Sequence, residues 1–395
     1  MKKILALVLV AVLALGLVAC AGTPAEKQFK VGAIYITSKN DTAGYTFAHH
    51  QGITTAMKNL GLDVEKQLVI VDNVPDTDKD ATLAAVDTLV GQGANVIFGI
   101  SYGYMEAMKE AAAKYPEVVF SHGTGYEKNA TNFNNYFGRI YQARYLAGIA
   151  AGLKSLEIGN NKVGYVAAFT TETAETASGI NAFAMGVQAV NPDAEVFVKK
   201  LGAWADEANE KAFAEELINV LGCGIVSQHC DSALPQIAAQ TAGAFGCGYN
   251  SDMTPNAPQA HLTAAIWHWE VYYATAIKAA MECGEAKNFV AKMGNDGVYY
   301  GGLKEGFVDV SPLSENCAPN TQKAIDTVKA MMVNGEWDVF SGVKLSIDAE
   351  GNVTKTDAAL VDNQGNEIVA AGGASVKDEV ITGSMNYLIK GVKEV

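Results

Sequence analysis

Positive charge is scarce in this 395-residue chain: 29 Lys and Arg stand against 43 Asp and Glu, a formal net charge of -14. A chain so short of cations does not attract a phosphate backbone, which excludes nucleic acid as the expected partner. Charged side chains of both signs make up only 18% and apolar ones 49%, the reverse of the balance that keeps a polypeptide disordered. No long apolar run follows the N-terminus, so no internal segment is expected to span a bilayer. Chemical signatures are missing too. No G-x-x-x-x-G-K-[ST] or G-x-G-x-x-G opens a helix, which leaves nucleotide chemistry without a phosphate cradle. Cysteine has no C-x-x-C pair, and the six histidines lack the i, i+4 or H-E-x-x-H spacing of a metal site, with neighbours such as His49 and His50 facing different ways on a helix.

What is present begins with an address. Lys2 and Lys3 precede an apolar stretch over 4–17, and Leu17-Val18-Ala19-Cys20 closes it with small residues before the cysteine. The pattern is that of a secretory signal over 1–19. Its end resembles a bacterial lipobox, in which Cys20 becomes the lipidated first residue of the exported chain; the alternative is an ordinary signal with a chance cysteine. The small, polar residues that follow, to position 29, suit a flexible tether. Five cysteines remain beyond it, an odd number that cannot all pair internally. Cys223 and Cys247 fall on adjacent predicted strands, so either a bridge or buried free thiols fit.

From position 30 the chain alternates short β-rich runs with amphipathic helical ones. Strands are predicted over 31–37, 67–74, 95–100 and 117–121, with helices over 45–60, 78–90 and 104–114; in the first of these Ile53, Ala56, Met57 and Leu60 recur at i, i+3, i+4 and i+7 before Gly61. A helix over 139–153 leads to a second series of strands over 162–169, 195–200, 224–228 and 245–249, with helices near 177–189, 207–221 and 233–242. A crossing strand over 260–266, a helix over 267–281, a strand over 299–310 and a helix over 321–334 follow. Near-continuous apolar strands joined by helices imply parallel sheets covered on both faces. A single core stops growing at about 250–300 residues, so the expected fold is α/β: two doubly wound parallel-sheet lobes. Lobe 1 is assigned 30–138 and 267–300, lobe 2 139–266 and 301–345. Residues 346–395 form a polar extension with a closing helix near 378–393.

Open parallel sheets bind ligands beyond the carboxyl ends of their strands. In the first half Asp41, Tyr45, Asp72, Asn73, Ser101, Tyr102 and His122 fall there; in the second, Phe169, Thr170, Trp204, residues 228–231 with His229 and Asp231, and residues 250–252 with Asn250 and Asp252. Any one of these aromatics fits core packing equally well, but their joint placement points to a flat, polar-edged, largely uncharged ligand. Phosphate or a dicarboxylate is a poor match without Arg or Lys at these ends. One catalytic alternative deserves a test: Gly99-Ile100-Ser101-Tyr102-Gly103 matches G-x-S-x-G between a strand and a helix, with Asp231 and His261 in hydrolase order. No HGGG-type oxyanion motif accompanies it, and those partners belong to the other lobe, so the chain is read as a non-enzyme, with no catalytic residue, no metal and no cofactor.

The motifs taken in order carry a resemblance. Val31-Gly32-Ala33-Ile34-Tyr35 leads to Gly44-Tyr45-Thr46-Phe47-Ala48-His49; Ser121-His122-Gly123-Thr124-Gly125-Tyr126, Tyr136-Phe137-Gly138-Arg139, Gly164-Tyr165-Val166-Ala167-Ala168-Phe169, Gly248-Tyr249-Asn250-Ser251-Asp252-Met253 and Gly301-Gly302-Leu303 follow. Together, over about 30–343, they resemble the basic membrane protein (Bmp) family of substrate-binding lipoproteins, extracytoplasmic receptors of ABC importers related to the purine nucleoside receptor. The resemblance implies a type I periplasmic-binding-protein fold, two α/β lobes joined by a three-strand hinge, with an ABC permease as partner and a lipid anchor in the membrane. It implies a purine stacked between one aromatic of each lobe, by motif position Tyr45 and Trp204, with Asp41 as a polar contact and Ser101 and Tyr102 at the mouth. Where the nucleoside receptors carry an aspartate for the ribose hydroxyls the chain has Asn250, and where they carry a lysine it has Trp267. The expectation is therefore a free base such as adenine, hypoxanthine or guanine, with Trp267 filling the ribose space and Asn250, Asp252, Ser101 and His229 satisfying its polar edge. A sugar or other small metabolite in the same fold is the nearest alternative, and a hydrolase using Ser101 the alternative of another class.

Overall fold

The computed structural model describes residues 28–395. The signal segment, Cys20 and most of the tether lie outside the described residues. The first sheet has six strands in the order Val298–Gly301, Phe133–Gly138, Val119–Gly123, Val96–Gly99, Val31–Ile34 and Leu68–Val71, every neighbouring pair parallel. The second has seven, in the order Val308–Val310, His261–Trp267, Phe245–Asn250, Ile225–His229, Lys162–Ala167, Glu195–Lys200 and Val392–Glu394. All pairs in it are parallel except the first, which is antiparallel. Central strands such as VGAI and VIFG are buried along their whole length, which is why they read as continuous apolar runs rather than alternating ones.

Helices cover both faces. Ile140–Glu157 and Ala174–Val190 pack against one another at glycines: a Cβ on Gly148 would lie within hard contact of Phe183 O, and its Cα faces that of Gly186. Losing those side chains lets the backbones approach, so dispersion contacts accumulate over the length of both helices.

Three segments join the lobes, at Arg139, at His268 and over 302–307. They are tied side by side by Arg139 N–H donating to Gly301 O (2.7 Å) and His268 N–H to Phe307 O (2.8 Å). Their rings interlock: Trp267 stacks on Trp269 (centroids 4.5 Å), with Phe137 at 5.2 Å and Phe307 at 5.5 Å from Trp267.

Three expectations are corrected here. A strand missing from the sequence reading, Phe133–Gly138, lies inside the first sheet, next to its edge strand; its Asn134 and Asn135 look like turn residues, but both are buried and bonded, to the Tyr272 hydroxyl (2.9 Å) and Glu127 O (3.3 Å). The strand expected over 299–310 is two strands in different sheets, split by the crossing at 302–307. The closing helix over 378–393 is only Asp378–Gly383, followed by an extended segment and the strand Val392–Glu394. Met385, Leu388 and Ile389 mimic a helical stripe, yet they are buried from a loop. Asn181 fixes that loop, donating to Tyr387 O and accepting from Ile389 N–H (both 2.9 Å). All five described cysteines are free thiols, so the Cys223–Cys247 bridge is not formed.

Candidate functional site

The carboxyl ends of the two sheets face each other across a part-open cavity of about 370 Å³, counted with the solvent space at its mouth. Ile36, Tyr45, Ser101, Tyr102 and Thr124 line it from the first lobe, and Glu175, Trp204, Asp231 and Tyr249 from the second. A wider cleft of about 2000 Å³ continues outward past Tyr102, Thr124, Glu175 and Trp204.

Tyr45 lies in the first turn of the helix Gly44–Asn59. Its hydroxyl donates to Ile100 O, and its ring rests edge-on against His49 (4.3 Å), itself stacked on Trp269 (3.9 Å). The ring is thus held at its tip and along one edge. Gly44 before it has φ +86°, and a Cβ there would collide with the Asp231 carbonyl oxygen of the other lobe. The lobes therefore meet backbone to backbone at this point, a contact only glycine permits.

Trp204 comes from the loop after Glu195–Lys200. Its carbonyl accepts from Asp231 N–H (3.1 Å) and its ring meets Phe169 edge-on at 5.3 Å. Ser101 Oγ donates to Asp76 Oδ2 (2.6 Å), and His122 bonds the Ser101 carbonyl (2.7 Å) rather than its hydroxyl. Burial lowers His122 to about 4, so it is neutral. Ser101 has no histidine to activate it, and His261 lies against Asp252 at 3.6 Å; the arrangement a serine nucleophile requires is not assembled.

Glu175 sits in the first turn of Ala174–Val190, whose Thr173 cap accepts from Thr176 N–H (3.3 Å). Tyr249 O–H donates to Glu175 Oε1 (3.3 Å), and His229 Nε2 approaches the same oxygen at 3.4 Å. Burial pushes the Glu175 carboxyl up to about 7, opposed by Arg144 and by the Tyr249 bond. Arg144 is one of only two arginines in the chain. Its guanidinium lies 3.9 Å over the Tyr249 ring and donates to the Tyr165 hydroxyl (2.7 Å) and Gln228 O (3.0 Å). Burial and that cation hold His229 well below its ordinary value. Asp231 is raised, first by burial and then by Glu210 and Glu175, against the Asn250 amide that donates to its Oδ1 (3.3 Å).

Five of the residues expected from sequence, Tyr45, Ser101, Tyr102, Trp204 and Asp231, meet at the cavity. Phe169 lines the outer cleft behind Trp204. His122, His229 and Asn250 are buried in a second layer. Three lie elsewhere. Asp41 accepts from Thr37 Oγ1 (2.6 Å), which in turn accepts from the Thr46 hydroxyl (2.7 Å). Asp252 faces away, capping Thr254, because Asn250 adopts φ 70° and turns the chain outward. Trp267 does not fill ribose space: it is packed in the hinge, its indole N–H 3.4 Å from the Tyr249 hydroxyl. Sequence reading missed Ile36, Thr124, Tyr249 and Glu175. Of these Glu175 left the clearest signal, the one charged side chain in its helix.

Two α/β lobes, three crossings and a cavity between opposed sheet ends define a two-lobed binding fold. The family model described as ABC transporter substrate-binding protein PnrA-like (Bmp) matches residues 29–339, and the chain belongs to that family. It is 32% identical to a purine-binding protein of Brucella abortus (strain 2308) over 94% of both chains. It is also 34% identical to a putative ABC transporter glucose-binding protein, TsgA13, of Haloferax volcanii, over 63% of this chain and 59% of that one. Among solved structures, a solute-binding protein of an Aeropyrum pernix K1 ABC transporter system superposes with a TM-score of 0.63 at 18% identity, covering 80% of this chain and 93% of the other. A transcriptional activator of the comK gene from Bacillus halodurans gives 0.61 at 20% identity, covering 78% and 99%. Both likenesses are of fold. The family is one of ABC transporter substrate-binding proteins, which act outside the cytoplasm.

Proposed function

We propose that the protein captures a free purine base between Tyr45 and Trp204 and delivers it to an ABC permease, held at the membrane by a lipid on Cys20. The carrying observation is the cavity between the lobes, about 370 Å³ of part-open space lined by Tyr45 and Tyr102 from one lobe and Trp204 and Tyr249 from the other, with the Ser101 and Thr124 hydroxyls and the Glu175 and Asp231 carboxyls beside them. Stacking on an aromatic side chain is worth about 1–3 kcal/mol per base, and two faces supply much of the roughly 8 kcal/mol of a micromolar complex. The Brucella relative, by its name a purine binder, supports the same class of ligand. The base is favoured over the nucleoside because no lysine or arginine lines the cavity to complete a charged pair around a ribose diol: Asn250 is spent behind Asp231 and Trp267 is in the hinge. A ligand that binds only the folded state adds about 2.7 kcal/mol of stability at 100 times its Kd. A melting screen of adenine, guanine, hypoxanthine, their nucleosides and glucose tests this, and bases should give the largest upward shifts. A larger shift with nucleosides overturns the base assignment; a shift with glucose alone, as the Haloferax relative's name suggests, overturns the purine.

A further inference from the structure

The first-lobe wall of the cavity carries no charged side chain, whereas the second-lobe wall carries two carboxyls, Glu175 and Asp231. Each uses one oxygen toward the protein: Glu175 Oε1 toward Tyr249 and His229, Asp231 Oδ1 toward Asn250. Neither Glu175 Oε2 nor Asp231 Oδ2 has a hydrogen bond among the described residues, and neither is among the buried atoms lacking a partner, so both remain accessible. No lysine or arginine lines the cavity to answer them. Closure over such a wall leaves the free oxygens without water, and a buried acceptor without a donor costs about 1–3 kcal/mol. The missing donors must come from the ligand.

We propose that Glu175 and Asp231 read the edge of the bound heterocycle, selecting a base that presents adjacent N–H donors, as guanine does, over one whose edge alternates donor with acceptor, as adenine's does. The proposal rests on the purine reading above and narrows it. A guanine-type edge offers a ring N–H and an amino N–H side by side, one donor for each of the two free oxygens, Glu175 Oε2 and Asp231 Oδ2. An adenine-type edge offers an amino N–H beside a bare ring nitrogen, and it pairs with a carboxyl that still carries its proton. The protonation state of the wall therefore sets which edge fits. The groups that face Glu175 are Arg144, His229, Tyr249 and Asp231 within the second lobe, and Tyr45 and Tyr300 from the first-lobe segments; Glu172 and Lys200 pair with each other farther out. Arg144 is the only fixed cation in that set, so it compensates one carboxylate and not two. With Glu175 raised to about 7, its proton is exchanged in the range where the protein can be studied.

Titration calorimetry of the full exported chain with guanine and with adenine, from about pH 5.5 to about pH 8.5, tests this, since neither base changes charge in that interval. Guanine affinity should rise up to about tenfold per pH unit below about 7 and level off above it, with net proton release on binding. Adenine affinity should be level below about pH 7 and fall above it, with net proton uptake there. Glu175→Gln, which keeps the volume, should flatten both profiles and weaken guanine most; Asp231→Asn provides a second variant should the first fail to fold. Purines that bind with pH-independent affinity overturn the edge-reading role alone. Failure of every purine to bind at any pH overturns the purine reading and this inference with it.

Discussion

The two walls of the cavity are built differently. The first lobe contributes two aromatic rings, an aliphatic side chain and hydroxyls, held by bonds such as Tyr45 to Ile100 O and Ser101 to Asp76. The second contributes Trp204 together with two carboxyls backed by Arg144 and His229. One wall can grip any flat guest; the other can tell guests apart, because buried charge tolerates only a matching partner. Grip and discrimination thus reside in separate lobes and are combined only when the lobes meet at Gly44 and Asp231.

The sharpest way to break that division is to stop the walls from meeting. Gly44→Val places a branched side chain against the Asp231 carbonyl at a left-handed φ. Overpacking there should cost about 3 kcal/mol, roughly a 100-fold loss of affinity by calorimetry. Removing the discriminating charge should act on stability instead. The Glu175 carboxyl has a folded pKa of about 7 against an ordinary 4.5. Below about pH 4.5 it is protonated in both states and costs nothing. As pH climbs to 7 the folded protein keeps a proton that the unfolded chain has lost, so stability declines with rising pH, by up to about 3 kcal/mol. Glu175→Gln should therefore melt higher than wild type at pH 8, and equally at pH 4.5, in the absence of ligand; equal melting at both would refute a charged, buried Glu175. Trp204→Ala should weaken purine binding by about 1–3 kcal/mol with little change in the pH profile. Tyr45→Phe, losing only the bond to Ile100 O, should cost about 1 kcal/mol. The smallest effect belongs to the hinge: Trp267→Phe should lower the melting temperature and leave affinity within a factor of about two, since the indole does not reach the cavity.

The layered α/β pattern was legible because buried parallel strands have no choice but to be apolar throughout, and the surrounding helices alternate with them in strict order. Strand Phe133–Gly138 was not, because its two asparagines read as a turn until their partners are known: Asn134 is satisfied by Tyr272, far along the chain, and Asn135 by the Glu127 carbonyl of the preceding loop. The aromatic and hydroxyl wall of the first lobe followed from strand ends alone. In the second lobe that rule failed in both directions. It placed Asp252 in the site, where one left-handed residue turns it out, and it passed over Glu175, which enters from a helix turn just past the strand end. Trp267 illustrates a different limit: an aromatic on a crossing strand faces either the ligand or the other crossings, and only the packing of Phe137, Trp269 and Phe307 decides.

The polar extension has a consequence of its own. Arg139, at the first crossing, is gripped by Asp378 through Nε (2.9 Å) and Nη2 (2.6 Å), and Asp378 also accepts from the Tyr141 hydroxyl (3.2 Å). Beyond that clasp the chain runs to the flank of the second sheet, where Val392–Glu394 pairs with Glu195–Lys200. A long strand left bare at a sheet border is an invitation to self-association. Here the border is occupied by a three-residue stub carrying Lys393 and Glu394, too short and too charged to recruit a neighbour, so the same segment that fastens the joint also guards the molecule against clumping.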